Sequence, residues 1–237
     1  ASVFCIEAGA RLMARASAPR VLYLSTTDFV QHKYAPGSVE ANAFYARLDR
    51  FIGMLHNSGA VVGITADHGM NDKTQEDGSP NVQYLESQLR EAGIREARVI
   101  LPITDPYVVH HGALGSYATV YIDAEHTERA IACLQIIPGV ESVLTRAAAA
   151  VAYQLPADRV GDLVVLADRN TVLGRTPAWH ELKDVATGLR SHGGLHESTV
   201  PFIVNRQLND ETLAQLTSGA LRNFDLFHVL CNGIREL

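Results

Sequence analysis

Two apolar runs in this chain each end in a carboxylate and an imidazole, and the stretch between them is long enough to return the chain to its starting side. Residues 21–24 lead into Ser25-Thr26-Thr27-Asp28-Phe29-Val30-Gln31-His32, and residues 60–65 lead into Ala66-Asp67-His68-Gly69-Met70. Between them Phe44, Leu48, Phe51, Ile52 and Leu55 recur at helical spacing over 38–56, with Ser38 placed to cap the first turn and Gly59 following the last. Strand, helix and strand with a crossover of this length read as a parallel βαβ unit, which brings both polar strand ends to one edge of a sheet. Ligands of open α/β sheets bind at that carboxyl edge, so residues roughly 40 positions apart can share a site.

The alternation continues along the chain. Val3, Ile6, Ala10 and Met13 repeat as a helix that Pro19 closes. A helix is expected over 82–92 and a strand over 98–101. From 104 to 158 the texture changes to strand 118–122, helix 124–134, strand 140–144 and helix 146–153, the pattern of an inserted α+β cap. Strands resume at 163–167 and 200–204, and helices near 209–217 and 224–231 close the fold. The expected class is α/β, a mainly parallel sheet flanked by helices, with a core formed by 1–103 and 159–237 and a cap subdomain at 104–158.

Composition narrows the function classes. A 237-residue chain with 47% hydrophobic residues buries one good-sized core. Its mean hydropathy of +0.02, with no apolar run of ~18 residues, gives no transmembrane span. A net charge of −6 offers no reason to expect nucleic acid or an anionic membrane. An anionic substrate remains compatible, because a bound cation reverses the local field. Cys5, Cys133 and Cys231 are widely spaced, form no Cys-x-x-Cys pair and read as reduced thiols of a cytoplasmic protein. The first residues carry neither an initiator Met nor a secretory signal, and they read like the interior of a longer chain.

The chemistry gathers in three segments. Asp28 and His32 are four apart, so one helical turn aims both side chains at one point. Asp67 and His68 are adjacent, and a sharp turn permitted by Gly69 lets the two side chains converge. His192 lies in the Gly-rich segment Ser191-His192-Gly193-Gly194, and local context favours it over His196. Carboxylate plus imidazole without thiolate is the donor mixture of a catalytic zinc or similar transition-metal site. Five ligands exceed one tetrahedral ion and suit two neighbouring ions that share an anionic substrate. His110-His111-Gly112 falls in the expected cap, where a structural role or a substrate contact fits better than metal binding. Lys33 and Arg190 stand beside ligand candidates and could meet an anionic group.

Taken together, the segments 24–34 (Leu24-Ser25-Thr26-Thr27-Asp28-Phe29-Val30-Gln31-His32-Lys33-Tyr34), 65–71 (Thr65-Ala66-Asp67-His68-Gly69-Met70-Asn71) and 191–197 (Ser191-His192-Gly193-Gly194-Leu195-His196-Glu197) resemble the alkaline phosphatase superfamily. Within it they are most similar to the phosphonoacetate hydrolase family. The resemblance extends over the whole chain, including Asp105-Pro106-Tyr107-Val108-Val109-His110-His111-Gly112-Ala113-Leu114-Gly115. It implies two zinc ions, the first on Asp28, His32 and His192 and the second on Asp67 and His68 with further ligands upstream, while His111 stands as the substrate contact that its own segment suggests. It further implies hydrolysis of the carbon–phosphorus bond of a small anionic phosphonate, phosphonoacetate, to acetate and phosphate, or else a nucleotide pyrophosphatase or phosphodiesterase activity using the same five ligands. A homodimer is allowed. Family members carry a further Asp ligand and a Thr nucleophile in an upstream segment that these 237 residues do not contain. The expectation is therefore that the catalytic nucleophile lies outside this sequence and that the chain alone is inactive or holds a partial site.

Overall fold

The computed structural model describes residues 1–102, 113–185 and 188–235. The chain divides into two compact units, Ala1–Asp67 with Thr199–Leu237, and His68–Ser198.

In the first unit the helical readings hold. Helix α1 (Ser2–Met13) buries Ile6 and Ala10, and helix α3 (Val39–Asn57) buries Ala41 and Leu55. The Ser38 hydroxyl accepts from the Ala41 N–H at 3.2 Å, which satisfies one of the donors a helix start leaves open. Gly59 follows α3 at φ +87°, a left-handed conformation that glycine adopts without a Cβ clash. Between α1 and α3 lies the single turn α2 (Phe29–Lys33).

Strand β1 (Gly63–Thr65) pairs antiparallel with β10 (Phe202–Val204). Asn205 continues this pairing, taking the Val62 N–H on its side-chain oxygen at 2.7 Å. Helix α7 (Asp210–Thr217) follows, and helix α8 (Leu226–Asn232) lies over β1, with Leu226 and Leu230 so close to Gly63 that a Cβ there would meet them at 2.8–3.0 Å.

The strand expected at 21–24 is not formed: the segment joins no ladder among the described residues. The expected parallel βαβ pairing of 21–24 with 60–65 is therefore replaced by the β1–β10 pair. An apolar run reports burial, whereas a strand also needs a neighbour for its backbone groups. Here Val21 and Tyr23 are 86% and 74% exposed, and Leu24 turns inward onto Gly9 of α1.

The second unit is organised by one antiparallel sheet in the order β4 (Arg98–Ile100), β5 (Tyr117–Tyr121), β7 (Leu163–Ala167), β6 (Val140–Thr145). All five residues of β7, Leu-Val-Val-Leu-Ala, are buried. Leu163, Val165 and Ala167 pack with α4 (Leu85–Glu91) and α5 (Thr127–Gln135), while Val164 and Leu166 pack with α6 (Arg146–Tyr153). A strand covered on both faces is apolar throughout, which is why its sequence lacks alternation. Replacing Leu163 by Ala in such a core costs about 2–5 kcal/mol.

The sheet draws β5 and β6 from the expected cap and β4 and β7 from outside it, so it runs past the 104–158 boundaries at both ends. Strand β3 (Val82–Tyr84) pairs parallel with β8 (Val172–Gly174), occupying the first turn of the helix expected at 82–92. Strand β2 (Asn71–Asp72) pairs antiparallel with β9 (Arg190–Ser191). The α/β class stands, but the expected mainly parallel sheet is corrected: among the described residues only β3–β8 is parallel. No helix of the described residues is long and apolar enough to cross a membrane.

Candidate metal centre

Asp28 occupies the N-cap position of α2 and His32 its fourth residue, so one turn sets the Asp28 Oδ2 3.0 Å from the His32 Nε2. The two donors are in direct contact, slightly closer than the roughly 3.3 Å that separates two ligand atoms of one tetrahedral ion, so both face one point. The loop before Asp28 is anchored to the start of α1. The buried Ser2 hydroxyl takes the Thr27 N–H at 3.1 Å and meets the Thr27 carbonyl at 3.2 Å. Gln31 donates to the Tyr45 hydroxyl of α3 at 2.9 Å, and the Lys33 ammonium lies 4.9 Å from the Phe29 ring.

Asp67 stands at an exposed bend just after β1. Its approach is held by the Thr65 hydroxyl on the Pro201 carbonyl at 2.9 Å and by Asn223 on the Ala66 carbonyl at 3.1 Å. Both anchors lie in the first unit, as Asp67 does.

In the second unit the structure brings His68 and His192 together. Their rings stack with centroids 3.5 Å apart and planes 9° from parallel. The His68 Nδ1 lies 2.9 Å from the Gly69 carbonyl, which can only accept. That contact places the proton of the neutral ring on Nδ1 and the lone pair on Nε2, the state a metal ligand needs.

His192 is fixed through its backbone. Its carbonyl accepts the Ser116 N–H at 2.9 Å, and Gly115 approaches so closely that a Cβ there would sit 2.8 Å from the same oxygen. The neighbouring Ser191 hydroxyl donates to the Leu114 carbonyl at 2.5 Å, and Gly193 turns the chain at φ +111°. His196, the competing imidazole, reaches the other way and pairs with Glu141 of β6 at 3.0 Å. His111 lies outside the described residues.

Lys73 and Glu197 form a buried ion pair at 3.0 Å, which the sequence reading missed. The Lys73 Nζ also donates to the Ser116 hydroxyl and the Arg169 carbonyl, both at 2.7 Å. The Ser116 proton goes to the Thr171 carbonyl at 2.7 Å, so its oxygen accepts from lysine. All three contacts therefore use lysine protons, and the group is an ammonium. Burial pulls the Lys73 pKa below its usual value, opposed by the Glu197 carboxylate. Burial alone would raise Glu197, but hydrogen bonds from Asn71 and Lys73, the lysine charge and the Gly194 N–H hold it below the ordinary carboxylate value. Nothing local marks Lys73 as buried, since its partners lie 43 to 124 positions away.

Residues 17–195 match the family described as type I phosphodiesterase / nucleotide pyrophosphatase. Among solved structures the chain is similar to phosphonoacetate hydrolase from Sinorhizobium meliloti 1021 in complex with phosphonoformate. The identity is 48% and the TM-score 0.88, over 98% of this chain and 55% of that one. The same enzyme in complex with phosphonoacetate matches at 47% identity and a TM-score of 0.87, with the same coverage. The chain thus spans about half the length of these solved relatives. Murine ectonucleotide pyrophosphatase / phosphodiesterase 5 shares the fold at 17% identity, with a TM-score of 0.56 over 86% of this chain and 52% of that one.

Proposed function

Because the chain belongs to the type I phosphodiesterase / nucleotide pyrophosphatase family, we propose that it serves a zinc-dependent hydrolase that splits the carbon–phosphorus bond of phosphonoacetate into acetate and phosphate. The observation that carries this reading is the 48% identity, over 98% of the chain, with an enzyme bearing that name whose structures hold phosphonoformate and phosphonoacetate. The superfamily is metal-dependent. In the proposed arrangement the first ion is held by Asp28, His32 and His192 and the second by Asp67 and His68.

The donor chemistry supports zinc: carboxylate and imidazole, with the Asp28 and His32 donor atoms side by side and the His68 ring turning Nδ1 to the Gly69 carbonyl, which leaves Nε2 as its donor atom. Bound zinc would supply Lewis acidity, lowering the pKa of a coordinated nucleophile and offsetting charge on the phosphonyl oxygens. The chain's own residues do the holding. Asp28 brings its carboxylate to the start of α2, and Asp67 brings one to the bend after β1. Ser2, Thr65 and Asn223 fix the backbone from which those carboxylates project. His111 is proposed to meet the substrate, a small phosphonate anion whose several charges demand neutralisation.

We also place the protein in the cytoplasm, in keeping with its three free cysteines, and allow a homodimer. Size-exclusion chromatography at two concentrations tests the dimer.

The activity test compares phosphate release from phosphonoacetate with turnover of a nitrophenyl phosphodiester by the zinc-loaded protein supplied with the upstream segment in which the nucleophile is expected. Preference for phosphonoacetate supports the reading. Preference for the diester would move the assignment to nucleotide-type substrates, and inertness toward both would remove it.

A further inference from the structure

We propose that Lys73 and Glu197 are positioning residues that hold the His68 and His192 rings face to face. The functional weight of this inference rests on the metal-centre reading of those histidines, but its geometry stands within the second unit alone. Each member of the pair follows one of the histidines by five positions. Their side chains are 0% exposed, with the ammonium 3.0 Å from the carboxylate. Desolvation offsets much of the attraction in such a pair, so stability alone is a poor reason for it. What it touches gives a better one.

Glu197 binds both histidine-bearing loops at once. Its Oε1 accepts from the Asn71 side chain at 2.6 Å, its Oε2 accepts from the Gly194 N–H at 2.9 Å, and its backbone carbonyl accepts from the Gly69 N–H at 2.6 Å. Lys73 extends the hold through Ser116, whose hydroxyl accepts from the ammonium at 2.7 Å and whose N–H grips the His192 carbonyl at 2.9 Å. The β2–β9 ladder pairs only Asn71 with Ser191 and Asp72 with Arg190. A ladder that short aligns two strands but does not set ring planes 9° from parallel at 3.5 Å. Glu197 and Lys73 fix the chain just after each ring and, through Ser116, the His192 backbone itself, and the stack follows.

The test is the double variant Lys73→Met with Glu197→Met, which removes both charges at similar side-chain length, so no buried charge is left without a partner. Three readouts are taken: the thermal unfolding midpoint, cross-peaks between the His68 and His192 ring protons in metal-free protein carrying labelled histidine, and zinc affinity by competition with a chromophoric chelator. A folded double variant is expected to lose the ring cross-peaks and to bind zinc about 10–100-fold more weakly, the usual cost of removing groups that orient metal ligands. A folded double variant that keeps the cross-peaks and the zinc affinity overturns the proposal.

If the double variant does not fold, Asn71→Ala decides in its place, because it removes a single donor to Glu197. Weakened cross-peaks with several-fold weaker zinc binding support the proposal, and unchanged values overturn it. A parent protein that binds no zinc would overturn the metal-centre reading instead, while the cross-peak comparison in metal-free protein still decides this one.

Discussion

Alanine at Gly115 would place a methyl carbon 2.8 Å from the His192 carbonyl oxygen. That is short of ordinary van der Waals contact by roughly half an ångström. Neither side can yield cheaply. The Gly115 carbonyl is held by the Leu173 N–H at 2.7 Å, and the His192 carbonyl by the Ser116 N–H at 2.9 Å. Overpacking of a fixed site costs about 1–3 kcal/mol, and losing a hydrogen bond costs about 0.5–1.5 kcal/mol more. Against this, Gly→Ala reduces the freedom of the unfolded chain by about 0.4–1 kcal/mol. The steric term wins, and Gly115→Ala is expected to be about 0.5–4 kcal/mol less stable. Because the displaced atom belongs to His192, zinc affinity should fall with it. Urea unfolding at constant m-value reads the first effect, and chelator competition reads the second. A variant as stable as the parent, binding zinc as tightly, would refute the close-contact reasoning.

Gly53 in α3 provides the opposite case, since nothing lies within 4 Å of a Cβ placed there. Gly53→Ala should stabilise the protein by about 0.5–1 kcal/mol in the same urea titration. Stability should also depend on acid through Glu197, whose folded pKa lies below the ordinary 4.5. Its contribution is complete above the unfolded value and is lost as pH falls through the folded one. Urea midpoints should therefore fall as the pH drops below about 4.5, with a shallower fall in Glu197→Gln. Lys73, held below its usual 10.5 by burial, adds a rise only in the alkaline range below that value.

The parts of the site that lie on one local element were readable from the sequence. Ser38 caps α3, β7 is the continuous apolar run of a doubly covered strand, and Asp28 with His32 meet because one helical turn spans four residues. Residues 21–24 misled because their apolar run promised a buried strand, while the ladder partner that makes a strand is a tertiary fact. The antiparallel sheet was hidden for the same reason, since helix-separated strands suggest parallel pairing and only register shows otherwise. The choice of His192 over His196 had weak local support. The structure places His192 against His68 and sends His196 to Glu141, contacts that span 124 and 55 positions. Lys73 and Glu197 gave no signal at all, because a lysine reads as surface until its acceptors are known.

Anomalous scattering at the zinc edge, from crystals grown with zinc, tests the proposed metal centre most directly. The expected map has a strong peak about 2.0–2.2 Å from donor atoms of Asp28, His32 and His192, and a weaker one at that distance from Asp67 and His68, whose remaining ligands are expected upstream. A map with no peak at these side chains, or with zinc bound elsewhere on the chain, would contradict it.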